Sequence, residues 1–186
     1  MKLYLRSQGS ENKGANTVSD ENHNGKYILT GKWGIKNDAL SVYDLSGNLL
    51  AELKQISVGV RPKFNLFMTD KLVGKVSTPL FFVKGFLWVK KLNWIIAGDT
   101  INCRFKIYHG CKRIFEVNRV QIGDRAYIEI NTFDEEYIPL YICIAVILDR
   151  WIQRRPPLKH PNIVRRWKID SASTRYGQLT NEEYHN

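Results

Sequence analysis

Residues 81–90 alternate in a way suited to binding chemistry. In an extended strand, successive side chains face opposite sides. Phe81, Val83, Gly85, Leu87 and Val89 then share one face, and Phe82, Lys84, Phe86, Trp88 and Lys90 share the other. Aromatic rings set between lysines can stack on bases while the ammonium groups meet phosphates. They can equally settle into a lipid interface. The plainer alternative is that this face packs on another segment of the chain, with its lysines reaching out to water.

More basic residues follow. Lys90, Lys91, Arg104, Lys106, Lys112, Arg113, Arg119 and Arg125 would form a positive stripe if adjacent strands brought them to one side. A solvated outer face is the competing reading. The chain carries 28 basic and 18 acidic residues, a formal charge of +10. From Arg150 onward there are eight basic residues against three acidic ones. A basic end on a milder body suits an anionic partner, either a lipid surface or nucleic acid. Arg165, Arg166, Trp167 and Lys168 combine charge with an aromatic ring there. Simple solubility would also account for the charge.

Catalytic chemistry has little to stand on. The sequence has no Gly-x-x-x-x-Gly-Lys phosphate loop, no Gly-x-Ser-x-Gly, no His-Glu-x-x-His and no dinucleotide fingerprint. Its four histidines are scattered, none at zinc-like spacing from a cysteine or acid. No metal or cofactor is expected. Asp134, Glu135 and Glu136 form an acidic cluster best explained as charge at the positive end of a helix. Cys103, Cys111 and Cys143 make no Cys-x-x-Cys pair, and Cys143 reads as a small buried thiol. A Cys103–Cys111 bridge across a hairpin is conceivable, but disulfides are rare in the cytoplasmic setting expected for this chain.

These residues sit on a chain that reads mainly as short strands. The exception is the run from Tyr137 to Leu148, apolar on every side and ending near Asp149. A helix apolar all round must be wrapped completely. About twelve residues are too few for a bilayer, which needs roughly twenty. The expectation is a helix enclosed by a sheet closed on itself, since a flat sandwich offers no lumen. Strand and turn signals suggest about ten to twelve strands. Ser46-Gly47-Asn48, Thr69-Asp70-Lys71 and His109-Gly110-Cys111 serve as hairpin turns. The polar stretch from Gly9 to Gly25 reads as a mobile loop. Residues 1–150 are expected to form one barrel domain, and 151–186 a basic tail broken by prolines. No apolar leader follows Met1, so a cytoplasmic protein without a transmembrane segment is expected.

Three segments resemble the LURP-one-related family, whose tubby C-terminal-like fold is shared with phospholipid scramblases. The first is Tyr43-Asp44-Leu45-Ser46-Gly47-Asn48-Leu49-Leu50-Ala51, a strand, an Asp-x-x-Gly turn and a strand. The second is Leu92-Asn93-Trp94-Ile95-Ile96-Ala97-Gly98-Asp99. The third is Gly123-Asp124-Arg125-Ala126-Tyr127-Ile128-Glu129-Ile130, followed by the apolar helix. The resemblance spans roughly Gly25 to Arg150. It implies a mainly β fold, a closed antiparallel β-barrel of about twelve strands enclosing one central hydrophobic α-helix. It supplies no catalytic residue.

The expected function is a non-catalytic binding or scaffold module, recognising anionic lipid headgroups or a protein partner and cytoplasmic or peripheral to a membrane. Candidate contacts are Lys84, Trp88, Lys90, Lys91, Arg104, Lys106, Arg113, Arg165, Arg166, Trp167 and Lys168. The alternative is a nucleic-acid-binding protein using the basic tail and the Trp88 face.

Overall fold

The structure, a computed structural model, describes residues 1–7, 14–32, 34–58, 62–77, 86–99 and 102–153, apart from the side chains of Phe86 and Ile152. Twelve strands and one helix lie among them. The strands are β1 (Lys2–Arg6), β2 (Asn16–Asp20), β3 (Gly25–Gly31), β4 (Ala39–Tyr43), β5 (Leu49–Ser57) and β6 (Lys63–Met68). They continue as β7 (Lys71–Ser77), β8 (Phe86–Lys90), β9 (Trp94–Asp99), β10 (Arg104–His109), β11 (Lys112–Ile122) and β12 (Arg125–Thr132), and the helix α1 covers Ile138–Gln153.

Each strand pairs antiparallel with the next, and β1 closes the circuit on β12 with Leu3 opposite Ile130. Closure gives each described strand a neighbour on both sides, the arrangement that protects sheet edges from recruiting another chain. Period-2 alternation sorts the side chains into two faces. Leu3 and Leu5, Leu87 and Val89, and Phe105 and Ile107 are buried, with polar or exposed residues between them. The turns follow their chemistry. Gly47 takes φ +88° between β4 and β5, and the Asp44 carboxylate accepts from the backbone N–H of Asn48 at 2.8 Å. Thr69 and Asp70 both take positive φ in the two-residue turn between β6 and β7. That is the type I′ geometry whose twist suits a hairpin.

Strand β2 departs from expectation, because it lies inside the stretch read as a mobile loop. Val18 is fully buried, and β2 pairs with β1 through Val18–Leu5 and with β3 through Thr17–Ile28. One buried valine and two neighbouring ladders order a segment whose own composition is too polar to do so. Asp20 then caps the following turn, accepting from the backbone N–H groups of Asn22 and Asn24 at 2.9 Å each.

The helix is longer than its apolar run. It continues through Gln153, so Asp149 lies inside it and Arg150 occupies its last turn. The acidic cluster precedes the first turn, which contains no acid. Asp134 there accepts from the Glu136 N–H at 3.0 Å and sits 3.9 Å from the Lys112 ammonium. Pro139, second in the helix, needs no N–H partner at that position. Every residue from Ile138 to Asp149 is buried. The helix packs on β4 and β5 and on β11 and β12, which lie on opposite arcs of the circuit. Tyr141 stacks on Phe115 with centroids 4.1 Å apart and lies 5.4 Å from the Trp94 ring, while Trp151 reaches Phe64 at 6.3 Å.

The Tyr141 hydroxyl is buried without a hydrogen-bond partner among the described residues. An unsatisfied buried hydroxyl costs about 1–3 kcal/mol. Tyr141→Phe keeps the ring stack and removes the orphan. It is expected to raise the stability in urea unfolding by about 1 kcal/mol or more, and an unchanged or lower midpoint would show that the hydroxyl has a partner.

Candidate functional site

The basic residues sort differently in space than along the chain. Trp88 and Lys90 point outward from β8, and Trp88 is 55% exposed. Lys91 lies in the following turn at φ +72°. The strand register adds a partner that sequence reasoning did not single out, because Lys75 of β7 stands directly opposite Lys90. Asn65 of β6 is opposite Lys75, and Lys54 of β5 is opposite Asn65. One outward row therefore reads Lys54, Asn65, Lys75, Lys90. Like charges directly opposite each other repel, and neither Lys75 nor Lys90 has an ion-pair partner among the described residues. Lys54 is partly engaged, 3.7 Å from Glu52 and over the Phe67 ring at 5.9 Å. Among the described residues of β5 to β8 and their turns, Glu52 and Asp70 are the only carboxylates.

Arg104, Lys106 and Arg113 lie on a second arc, where carboxylates break up the expected stripe. Arg113 bonds Glu116 at 2.8 Å and covers the Phe133 ring at 4.6 Å. Lys106 is in register with Glu116, and Arg104 with Asn118, which is in register with Glu129. Between them runs an outer groove of about 640 Å³ whose lining includes Ala97, Gly98, Arg104, Lys106, Asn118 and Glu129. Two small residues on β9 beside long charged ones on β10 and β12 leave that depression. Lys84, Arg165, Arg166, Trp167 and Lys168 lie outside the described residues.

A third polar cluster joins the last turns of the helix to the start of the chain. The Ser7 hydroxyl donates to Asp149 Oδ2 at 2.9 Å, and Gln153 Nε2 donates to the same oxygen at 2.6 Å. Gln153 Nε2 also donates to Ser7 Oγ at 3.0 Å. Burial pushes the Asp149 carboxyl above its ordinary 3.8, opposed by the Ser7 hydroxyl, Arg119, Arg150 and Gln153. The helix end is thereby tied to the residue that follows β1, a structural clasp. The folded protein holds this proton more tightly than the unfolded chain does. The resulting stability is present near pH 4 and is lost as pH rises through the raised folded value. Asp149→Asn removes this dependence. Its melting temperature relative to wild type is expected to rise between pH 4 and 7, as followed by circular dichroism; a parallel pair of pH profiles would refute it.

Two of the three thiols are held protonated by their surroundings. None of the three is in a disulfide, and burial pushes Cys143 up to about 12, far from a reactive thiolate. Burial likewise raises Cys103, against the pull of Arg119. Among the described residues no three His, Cys, Asp or Glu side chains gather as metal ligands.

Comparisons with known proteins fit this architecture. The chain is 24% identical over 151 residues to the uncharacterised protein YxjI of Bacillus subtilis (strain 168), covering 80% of this chain and 92% of that one. The X-ray structure of a protein from Arabidopsis thaliana superposes with a TM-score of 0.51 at 14% identity, covering 81% of this chain and 91% of the other, a likeness of fold. The sequence model of the LURP-one-related family matches residues 1–149. That match runs from the first strand of the closed barrel to the buried carboxylate clasping its helix, and the chain belongs to the LURP-one-related family.

Proposed function

We propose that the protein is a non-catalytic binding module that docks on anionic lipid headgroups through the outer face of β5 to β8. The observation that carries this reading is the facing pair Lys75–Lys90, unpaired among the described residues, in one outward row with Lys54 and beside the exposed Trp88. Facing ammonium groups repel until an anion lies between them. A protruding indole has an apolar body and a polar N–H that suit the boundary between headgroups and acyl chains. The enclosed helix belongs to the same reading. Burial from Ile138 to Asp149, with packing on opposite arcs, supports a helix along the barrel axis, which leaves the outer wall to bind. Among the described residues no helix is long and apolar enough to cross a membrane, so attachment would be peripheral. Arg165, Arg166, Trp167 and Lys168 supply further charge and an aromatic ring to the same kind of ligand.

Each basic residue near an anionic membrane adds about 1 kcal/mol. Three or four lysines then give weak, reversible, salt-sensitive attachment. In sedimentation the protein is expected to pellet with phosphatidylserine-containing vesicles, to stay in solution with phosphatidylcholine alone, and to leave the pellet in high salt. The double substitution Lys75→Glu and Lys90→Glu is expected to cut the bound fraction at least tenfold. A full-strength pellet with that variant would refute the lysine row as the contact. Retarding single-stranded DNA at the same salt without binding vesicles would favour nucleic acid instead.

A further inference from the structure

We propose that the groove on the outer face of β9 to β12 is a separate binding site for a compact zwitterion, a molecule carrying one anionic group and one ammonium a few bonds apart. Its volume of about 640 Å³ lies within the roughly 300–1,000 Å³ of small-molecule sites. The arrangement of charge is the second observation. Arg104 and Lys106 project outward from β10, alternating with the buried Phe105 and Ile107, and neither has an ion-pair partner among the described residues. Two strands away, Glu129 projects outward from β12, also without an ion pair among the described residues.

Glu129 is nevertheless held in place. The Tyr4 hydroxyl donates to one of its oxygens at 3.2 Å and Asn118 Nδ2 to the other at 3.3 Å. Tyr4 keeps its proton more firmly there, through burial and then through the Glu129 charge. Two other carboxylates line the groove and both are engaged, Glu116 by Arg113 and Asp99, opposite Arg104 on β9, by the backbone N–H and side-chain amide of Asn102. The groove thus holds a cationic wall and an anionic wall that do not neutralise one another. Arg104, Asn118 and Glu129 lie in one row across three strands, so the backbones of β10 and β12 stand about 10 Å apart at that point. The short Asn118 lies between the charged residues, and Ala97 and Gly98 extend the lining on β9.

This geometry selects by exclusion as well as attraction. A simple anion drawn to Arg104 and Lys106 meets the fixed Glu129 carboxylate. A simple cation drawn to Glu129 meets the two basic side chains. A molecule with both groups satisfies both walls, with its anion on the Arg104 fork and its ammonium on Glu129.

The test is calorimetric titration of the full chain with phosphoethanolamine and 4-aminobutyrate, against inorganic phosphate, acetate and ethylamine. The expected result is a Kd for at least one zwitterion tenfold or more below that of every singly functional ion. Arg104→Gln and Glu129→Gln should each raise that Kd at least tenfold while leaving the circular dichroism spectrum unchanged. Phosphatidylethanolamine vesicles, compared with free phosphoethanolamine, distinguish a lipid headgroup from a soluble ligand as the source of the same chemistry. Inorganic phosphate binding as tightly as the zwitterions would overturn the proposal, as would Glu129→Gln leaving zwitterion affinity intact. Wild-type selectivity decides the matter should a variant fail to fold.

Discussion

Aspartate placed at Ile142, Cys143, Ile144 or Ala145 is expected to abolish cooperative folding, whichever of the four is chosen. Successive helix residues turn by about 100°, so four in a row sample every face. All four are fully buried. An uncompensated buried charge costs several kcal/mol, a large part of the roughly 5–15 kcal/mol that holds a typical domain together. A helix lying on the outside of a sheet would tolerate aspartate on its solvent side. Far-UV circular dichroism and urea unfolding of the four variants supply the measurement. One soluble variant with a wild-type midpoint would show a face that the strands do not cover. A milder version runs parallel, with Ile144→Ala expected to lose about 2–5 kcal/mol by leaving a cavity.

The second large effect is expected at Gly98. Gly98 pairs with Phe105 across β9 and β10. A Cβ there would lie 2.3 Å from the Arg104 carbonyl oxygen and 2.7 Å from the Phe105 Cα. These are backbone atoms of a paired strand, so the clash is relieved only by opening the ladder. Gly98→Ala is expected to destabilise by about 1–3 kcal/mol, the range of overpacked sites, and to distort the groove that Gly98 lines. Gly47 provides the contrast. It has φ +88°, but a methyl group there would stand in open space, with nothing within 4 Å. Gly47→Ala should therefore cost only about 1–2 kcal/mol of left-handed backbone strain and leave the groove intact. Urea midpoints of the two variants, with zwitterion affinity measured beside them, separate the effects. A Gly98→Ala protein as stable as wild type would mean that β9 and β10 can part at that point without loss.

Much of the architecture was legible in the chain. Alternation at Leu87, Trp88, Val89 and Lys90 assigned two inward and two outward side chains, and the structure places them so. Turn chemistry at Ser46-Gly47-Asn48 located one hairpin, and the resemblance supplied the number of strands. Where local composition misled, long-range pairing was the reason. β2 is ordered by its neighbours on both sides. The helix extends to Gln153 because Asp149 and Gln153 are tied to Ser7, more than 140 residues away in sequence.

The candidate sites were less legible for the same reason. Lys75 has nothing in its own segment to mark it, and only the pairing of β7 with β8 sets it against Lys90. Arg104 and Lys106 read as members of a positive stripe until the register of β10, β11 and β12 brings Glu116 and Glu129 into the same rows. The amino-acid order by itself determined which side chains face inward and that the Tyr137–Leu148 run must be covered, because strand period and hydrophobicity are local properties. The tertiary structure alone decided which outward charges become neighbours, because register and closure join residues through ladders that no single segment specifies.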